Sequence, residues 1–170
     1  AVFKFILKEF DLLILYPIYG IKKKNDFSDK VISIALKYME KKYKNIKYLP
    51  IFSNFHYAGP REAFHHMHIR ENLGFENFYI GRDHAGAENN FKPLEAIKAV
   101  KKQESKFKLK IFSSSGGYYC QKCSNYIIKG TCKHQKLKNI SGTSFREHLF
   151  KKSLYPHADK QLQNLINKKI

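Results

Sequence analysis

The chain has 170 residues, enough for one domain with a buried core. No apolar stretch is long enough to cross a bilayer, and the N-terminal AVFKFILKEF, which Lys4 and Lys8 interrupt, predicts an amphipathic helix rather than a signal peptide. The net charge is +18, but only four of the 32 basic residues are Arg and the Lys residues are scattered along the whole chain. Such a charge normally suggests a polyanionic partner, but the scattered Lys pattern fits a general lysine bias equally well. Because no recognised nucleic-acid module accompanies the charge, we expect no specific nucleic-acid partner.

Apolar runs and helical patterns alternate over the first two thirds of the chain. The spacing predicts strands over 11–16, 46–52, 76–81 and 107–112, and helices over 28–44, 60–74 and 92–103. Ser28 is a suitable N-cap for the first helix, and Pro60 and Gly74 mark the ends of the second. This order is typical of an α/β fold with a parallel sheet and covering helices.

One motif follows directly on a predicted strand. In YIGRDHAG (79–86) the apolar run ends at Gly81, and Arg82, Asp83 and His84 come next. Ligands of parallel α/β sheets bind beyond the carboxyl ends of the strands. Backbone amides and an Arg fork at that place suit phosphate oxygens, and small residues let a ligand approach closely. The motif therefore predicts an anion or nucleotide site.

A second motif combines cysteine and histidine in the pattern C-x2-C-x8-C-x-H, at Cys120, Cys123, Cys132 and His134. A C-x-x-C turn presents two thiolates to one ion, and a second arm completes a tetrahedral zinc site. An odd cysteine count beside a histidine favours this over a disulfide framework, and free thiols are the alternative. Only one residue separates Cys132 from His134, which is a shorter spacing than is common in zinc sites. His148 is therefore the alternative fourth ligand. Four protein ligands make the zinc structural, and zinc or free thiols both imply a reducing, cytoplasmic compartment.

The chain resembles one family, the ATP sulfurylases (sulfate adenylyltransferases), over most of its length. The matching blocks are YAGPREAFHHMHIRENLGFENFYIGRDHAG (57–86), the Cys/His segment (120–134), ISGTSFREHL (140–149) and LLILYPIYGIKKKNDFS (12–28). AGPRE and GRDHAG, in this order and spacing, are highly specific. The resemblance implies a partial Rossmann-like nucleotidyltransferase domain over 1–112, a zinc-binding segment over 113–139 and C-terminal helices over 140–170.

The resemblance also implies a reaction. Sulfate attacks the α-phosphate of MgATP, which forms adenylyl sulfate and releases pyrophosphate, through positioning and charge stabilisation. Its implied catalytic residues are Arg82, which holds phosphate oxygens, and His84, which lines the nucleotide pocket. The Ala85 amide faces sulfate, Asp83 orients its neighbours, and the loop from Gly81 to Gly86 contacts ATP.

The AGPRE helix contributes further expectations. Arg61 is expected to shape the substrate site or to pair with Glu62 or another acid. His66 is predicted to be a packed, satisfied imidazole. His65 and His68 spell H-x-x-H, but they lie in a predicted helix rather than on a phosphate-facing loop, so this match is interpreted as coincidence.

The sequence departs from the family pattern at three places. The family's Gln-x-Arg-Asn-Pro and His-x-x-His motif and its PUA-like domain are not found, so the chain looks like the carboxyl-side part of a catalytic domain. His56 stands where the family has Arg, and AEN (87–89) follows GRDHAG. We therefore expect little or no turnover from this chain alone.

The implied partners are ATP with Mg²⁺, sulfate, adenylyl sulfate and pyrophosphate, with no membrane, and the family's habit of oligomerising implies a homo-oligomer. An alternative from another class is a catalytically inactive, zinc-stabilised basic module that binds nucleotides or RNA. The +18 charge and the missing motif motivate it. Tight, salt-sensitive RNA binding without a preference for ATP would favour this alternative.

Overall fold

The computed structural model describes residues 1–22, 26–82, 84, 91–140 and 142–169. The α-helices are α1 Val2–Ile6, α2 Asp29–Lys42, α3 Pro60–Asn72, α4 Glu95–Lys101, α5 Gly142–Phe150 and α6 Lys160–Asn167, with a 3₁₀ turn at Glu104–Lys106. The strands are β1 Leu13–Leu15, β2 Ile18–Tyr19, β3 Ile46–Tyr48, β4 Ile51–Phe52, β5 Asn77–Ile80, β6 Lys110–Ser113, β7 Gly117–Cys120, β8 Asn125–Ile128 and β9 Leu137–Asn139. None of the helices described here combines the length and apolarity that crossing a membrane requires.

The chain divides into two compact units. One unit comprises Ala1–Phe55, Tyr118–Ile127 and His134–Ile170, and the other comprises His56–Gly117 and Ile128–Lys133. We call them the first and the second unit. The expected boundaries at 112 and 139 remain a prediction.

Two interrupted strands pair in parallel in the first unit. Strand β1 pairs with β3, and β2 pairs with β4. Each interruption contains a proline, which lacks an N–H donor. The pairing continues past them because Leu49 donates its N–H to Leu15 O (2.9 Å) and Ile51 donates to Pro17 O (2.9 Å). The predicted strands 11–16 and 46–52 are therefore confirmed, and the second of them is interrupted at Pro50.

The helices of the first unit surround a small apolar core of Val31, Leu149 and Ile166. Helix α2 begins as expected, because the Ser28 side chain accepts a hydrogen bond from Val31 N (3.4 Å). Lys42 Nζ lies 2.6 Å from an Asp159 carboxylate oxygen and joins the end of α2 to the N-cap of α6.

The second unit builds its core between helices α3 and α4 and the parallel pair β5–β6. Its largest fully buried side chains include Met67, Ile80, Val100 and Leu109. Helix α3 ends in a Schellman motif, since Gly74 (φ +82°) donates to Glu71 O and Phe75 donates to Arg70 O. The predicted stop at Gly74 is confirmed.

The α/β class and the parallel pairing are confirmed, but the sheet differs from the expectation. Among the described residues, the parallel strands form three separate pairs, β1–β3, β2–β4 and β5–β6, rather than one continuous sheet. The strands are only two to four residues long, and prolines divide the first two pairs. The Cys-bearing segment forms a further sheet in the order β8-β7-β9, in which β7 and β9 are antiparallel.

Candidate functional site

The candidate site lies in the second unit, at the carboxyl edge of β5 and β6. Parallel register pairs Ile80 with Ser113, so the segments after both strands leave the sheet at the same edge. Gly81, Arg82 and His84 follow β5, and Ser114 follows β6. The hydroxyls of Tyr79 and Ser114 form a hydrogen bond that ties the two strand ends together.

Arg82 is fixed at this edge by its backbone and its surroundings. Its carbonyl accepts a hydrogen bond from Leu94 N (2.9 Å), which connects it to the start of α4. Its Nη1 atom lies 3.8 Å from the position that a Cβ on Gly116 would occupy, so the guanidinium reaches the segment after β6. Gly116 has φ +91°, a conformation that favours glycine.

The AGPRE motif forms the entry to helix α3. Gly59 is the N-cap with φ +54° and ψ −116°, and Pro60 occupies the first helical position. The third helical residue is Glu62, whose carboxylate oxygens accept the backbone N–H groups of His56 (3.2 Å) and Ala58 (3.0 Å). This contact resembles the glutamate half of a capping box and satisfies donors before the helix.

One face of α3 carries three buried polar residues at a spacing of four. Glu62, His66 and Arg70 are 2%, 4% and 7% exposed. Arg70 donates to His66 O (3.0 Å), and its guanidinium lies 4.9 Å from the centroid of the Phe78 ring. A cation over an aromatic face is attracted to the ring quadrupole, so Phe78 helps to hold this charge inside the protein.

The two central histidines contact each other directly. His66 Nδ1 lies 2.9 Å from His84 Nε2, and the two rings meet edge-on. On its other side, His66 Nε2 lies 3.7 Å from Glu62 Oε1, beyond hydrogen-bond distance. Within the described part of the chain this buried nitrogen has no hydrogen-bond partner. These side chains form a row. The buried carboxylate of Glu62 lies beside His66, and His66 contacts the ring of His84, which follows β5.

Both histidines are neutral at physiological pH. Burial, followed by the charges of His84 and Arg70, lowers the pKa of His66 to about 3. Burial and then Arg70 lower the pKa of His84 to about 4. Among the described residues of the strand edge, Arg82 therefore offers a permanent cation beside an uncharged imidazole.

The structure brings together only part of the predicted site. Gly81, Arg82 and His84 share the strand edge, whereas Asp83, Ala85 and Gly86 lie outside the described residues. Arg61 is exposed at the second position of α3, and the Glu62 carboxylate is occupied by backbone amides.

The histidines of α3 match the expectations from the sequence except at one atom. His66 is packed as predicted, but its Nε2 atom is not satisfied. His65 and His68 lie within the helix, as expected, and both are exposed. Sequence reasoning missed Glu62 and Arg70 as members of a buried polar face. The i, i+4, i+8 spacing of Glu62, His66 and Arg70 is the signal that could have found it.

The Cys/His pattern forms a second candidate site. The ligand atoms of Cys120, Cys123, Cys132 and His134 all lie within 4.8 Å of one another. His134 Nδ1 lies 3.5 Å from Cys120 Sγ and 3.2 Å from Cys123 Sγ. The Cys123 N–H donates to Cys120 Sγ (3.4 Å), so the turn presents both sulfurs on one side.

These residues fit a metal ion of the zinc type. Zinc–ligand bonds of about 2.0–2.3 Å in a tetrahedron separate neighbouring ligand atoms by roughly 3.3–3.8 Å. The distance from His134 Nδ1 to Cys120 Sγ (3.5 Å) lies in this range, and the distance to Cys123 Sγ (3.2 Å) lies just below it. His148 is engaged elsewhere, because its Nδ1 contacts Ser144 O at 2.7 Å and its ring packs on Tyr155. The structure therefore favours His134 over His148 as the fourth member of the group.

The family model of the ATP-sulfurylases matches residues 1–158. The chain belongs to the ATP-sulfurylase family. It is 36% identical over 151 residues to a sulfate adenylyltransferase of Staphylothermus marinus, covering 86% of this chain and 39% of that protein. It is also 36% identical over 157 residues to one of Carboxydothermus hydrogenoformans, covering 86% of this chain and 40% of that protein. The chain thus spans about two fifths of the length of these curated relatives.

A solved structure shares the fold. The hexameric APS kinase from Thiobacillus denitrificans superimposes with a TM-score of 0.71 at 12% sequence identity, covering 99% of this chain and 33% of that one. At this identity the likeness concerns the fold alone. It agrees with the mixed α/β architecture described above.

Proposed function

We propose that this chain supplies the nucleotide site of a sulfate adenylyltransferase. The observation that carries the proposal is the position of Arg82 and His84 at the carboxyl edge of a parallel strand pair, in a chain of the ATP-sulfurylase family. The overall reaction joins a sulfate oxygen to the α-phosphorus of ATP and breaks the bond from that phosphorus to the oxygen bridging to the β-phosphate. Adenylyl sulfate and pyrophosphate leave, and Mg²⁺ arrives with the ATP.

Each residue of the edge has a role in this proposal. Arg82 pairs with phosphate oxygens through a planar fork that suits two oxygens at once. His84 lines the nucleotide pocket beside it. From the family resemblance we also expect the loop from Gly81 to Gly86 to contact ATP, with the Ala85 amide facing sulfate and Asp83 orienting its neighbours. Arg61, exposed at the start of α3, shapes the rim of the site.

The Cys/His group has a structural role in the proposal. Cys120, Cys123, Cys132 and His134 would hold Zn²⁺ as thiolates and a neutral imidazole. With four protein ligands the ion has no open coordination position, so it stabilises the fold of the segment and takes no part in adenylyl transfer. The Rossmann-like assignment, the cytoplasmic location and a homo-oligomeric assembly belong to the same proposal.

Binding of adenylyl sulfate to the 170-residue chain tests the site without requiring turnover. Arg82→Ala should weaken binding at least tenfold in a calorimetric titration, because a charge-assisted hydrogen bond contributes about 1.5–3 kcal/mol. Arg146→Ala is the matched control, because it also removes one guanidinium. Arg146 lies in α5, and its Nη1 atom is 4.0 Å from Asp26 Oδ1. Equal affinity of the Arg82 variant and the wild type would contradict the proposed site.

Catalysis is tested in the reverse direction, as ATP formed from adenylyl sulfate and pyrophosphate. We expect little or no ATP from this chain alone and formation of ATP by a polypeptide that also carries the Gln-x-Arg-Asn-Pro and His-x-x-His motif. Absence of ATP from the longer polypeptide would contradict the proposed reaction. Robust ATP formation by the short chain would contradict the assigned need for that motif.

A further inference from the structure

We propose that Glu62 and His66 are positioning residues that hold His84 as the neutral tautomer protonated on Nε2, so that His84 meets the bound nucleotide through Nδ1 as a hydrogen-bond acceptor. The tautomer assignment rests on the distances between these three side chains and on the neutrality of both rings. The statement about the nucleotide rests on the proposed function.

The first step concerns the carboxylate. Glu62 is 2% exposed, and its two oxygens accept backbone N–H groups of His56 and Ala58. These bonds fix the carboxylate in place and match its ionised, acceptor-only form. One of its oxygens, Oε1, then lies 3.7 Å from His66 Nε2.

The second step concerns the tautomer of His66. A bare nitrogen lone pair facing a carboxylate oxygen is repelled, whereas an N–H bond facing it is attracted. His66 Nε2 is buried and has no hydrogen-bond partner among the residues that the structure describes, so the nearby carboxylate is the dominant influence on which nitrogen carries the proton. The proton therefore resides on Nε2, and Nδ1 is left as an acceptor.

The third step derives the tautomer of His84 from that of His66. His66 Nδ1 and His84 Nε2 are 2.9 Å apart, and a hydrogen bond at this distance needs one proton between them. Because His66 Nδ1 is the acceptor, His84 Nε2 must be the donor. A neutral imidazole has one N–H, so His84 Nδ1 is an acceptor.

Burial, together with the surrounding charges, keeps both rings uncharged. The groups that disfavour a proton on His66 are His84, Arg70 on the same helix, the neighbouring His65, and His56 from the segment before α3. Arg70 acts on His84 as well. A neutral acceptor selects a hydrogen-bond donor, such as a hydroxyl or amino group of a nucleoside, and offers nothing to a phosphate oxygen. Arg82 and His84 therefore recognise different parts of one ligand.

The test is a long-range ¹H–¹⁵N correlation spectrum of the imidazole rings of the ¹⁵N-labelled chain near pH 7, with assignments from single histidine variants. In this spectrum protonated and bare ring nitrogens resonate far apart. Both His66 and His84 should be neutral and protonated on Nε2. A His84 ring protonated on Nδ1, or on both nitrogens, would overturn the assignment.

Variants then test whether Glu62 and His66 set the tautomer. His66→Asn retains an oxygen acceptor near the position of Nδ1 and should preserve the Nε2–H form of His84, whereas His66→Leu should give a mixture of tautomers. Glu62→Gln should likewise mix the tautomers of His66. His65→Asn, an exposed change on the same helix, is the control and should leave His84 unchanged.

An unchanged His84 in a folded His66→Leu protein would overturn the role of His66. If the leucine variant does not fold, the His66 tautomers of Glu62→Gln decide in its place, and unchanged tautomers overturn the inference.

Titration with adenylyl sulfate separates this inference from the proposed function. The His84 ring should stay neutral on binding, with its Nδ1 resonance moving as that atom accepts a hydrogen bond. Protonation of His84 on binding would overturn the acceptor role. Absence of any binding would overturn the proposed function, and the nucleotide half of this inference with it, while the tautomers of the ligand-free chain decide the rest.

Discussion

The histidine pair and the Cys/His group place polar side chains close together by different means. The four members of the Cys/His group lie within residues 120–134, and a single tight turn aligns two of them. The histidine pair joins α3 to the segment after β5, eighteen positions apart, and depends on a carboxylate anchored by backbone amides. A local group can be organised by one metal ion, whereas the buried pair needs the surrounding packing to be in place first.

This difference also explains what the sequence could predict. The spacing of the cysteines along the chain constrains where their side chains lie, so the Cys/His group was predictable from the sequence. The structure adds the choice of His134 as its fourth member. Helix α3 was predictable from Pro60 and Gly74, but the partner of its buried face was not. The contact of His66 with His84 depends on the tertiary packing of the helix and the strand, which no local pattern encodes. The division of the parallel sheet into short pairs likewise depends on strand lengths that apolar runs overestimate.

The largest expected effect is on the local group. Cys120→Ser should abolish binding of one zinc ion per chain and destabilise the protein by several kcal/mol, because structural zinc sites contribute about 10 kcal/mol or more of apparent binding free energy at pH 7. Cys120 is fully buried, so its replacement also alters a packed interior position. Metal analysis of the purified protein and thermal unfolding measure the two effects.

Lys133→Ser is the control for this prediction, since Lys133 is exposed between Cys132 and His134. It should retain zinc and stability. If a chelator removes the zinc from the wild-type protein and the melting temperature stays the same, the structural role of the metal is contradicted.

The second effect concerns the packing that supports the histidine pair. A Cβ on Gly59 would lie 2.6–2.8 Å from ring atoms of Phe91, at φ +54° where side chains are strained. Gly59→Ala should therefore lower the free energy of unfolding by about 3 kcal/mol, from steric overlap and backbone strain together. Urea unfolding measures this change.

Gly74→Ala, at the other end of α3, has a positive φ but nothing within 4 Å of the new Cβ. It should lower the free energy of unfolding by only about 1 kcal/mol, the backbone strain alone. Equal effects at Gly59 and Gly74 would show that the contact with Phe91 does not constrain the helix entry.

The third effect is a loss of stability in mild acid. The pKa of His66 is about 3 in the folded protein and 6.5 in the unfolded chain, so between these values the unfolded chain binds more protons. Stability therefore falls as the pH drops below 6.5, and His66 contributes a loss of about 2 kcal/mol between pH 7.5 and pH 5. Urea unfolding at the two pH values measures this loss.

Zinc binding also weakens in acid, so the wild type must be compared with a variant that keeps the Cys/His group. His66→Asn retains that group and removes one titrating ring. The variant should lose less stability than the wild type over the same pH interval. The same loss in both proteins would contradict a depressed pKa at His66.

The smallest effect lies in the Cys turn. Ser124 has φ +48°, where glycine is preferred. Ser124→Gly should stabilise the zinc-loaded protein by up to about 1 kcal/mol, because it removes backbone strain. Lys122→Gly, in the same turn but without a positive φ, should destabilise it instead, and a gain in melting temperature for both variants would contradict this explanation.

The central claim is that the carboxyl edge of β5 and β6 binds the adenylyl group, with Arg82 on the anionic oxygens and His84 on a neutral donor of the nucleoside. A crystal structure of the chain soaked with adenylyl sulfate tests this most directly. The account predicts ligand density in contact with both side chains. Density for the ligand at another surface, with this edge empty, would contradict it.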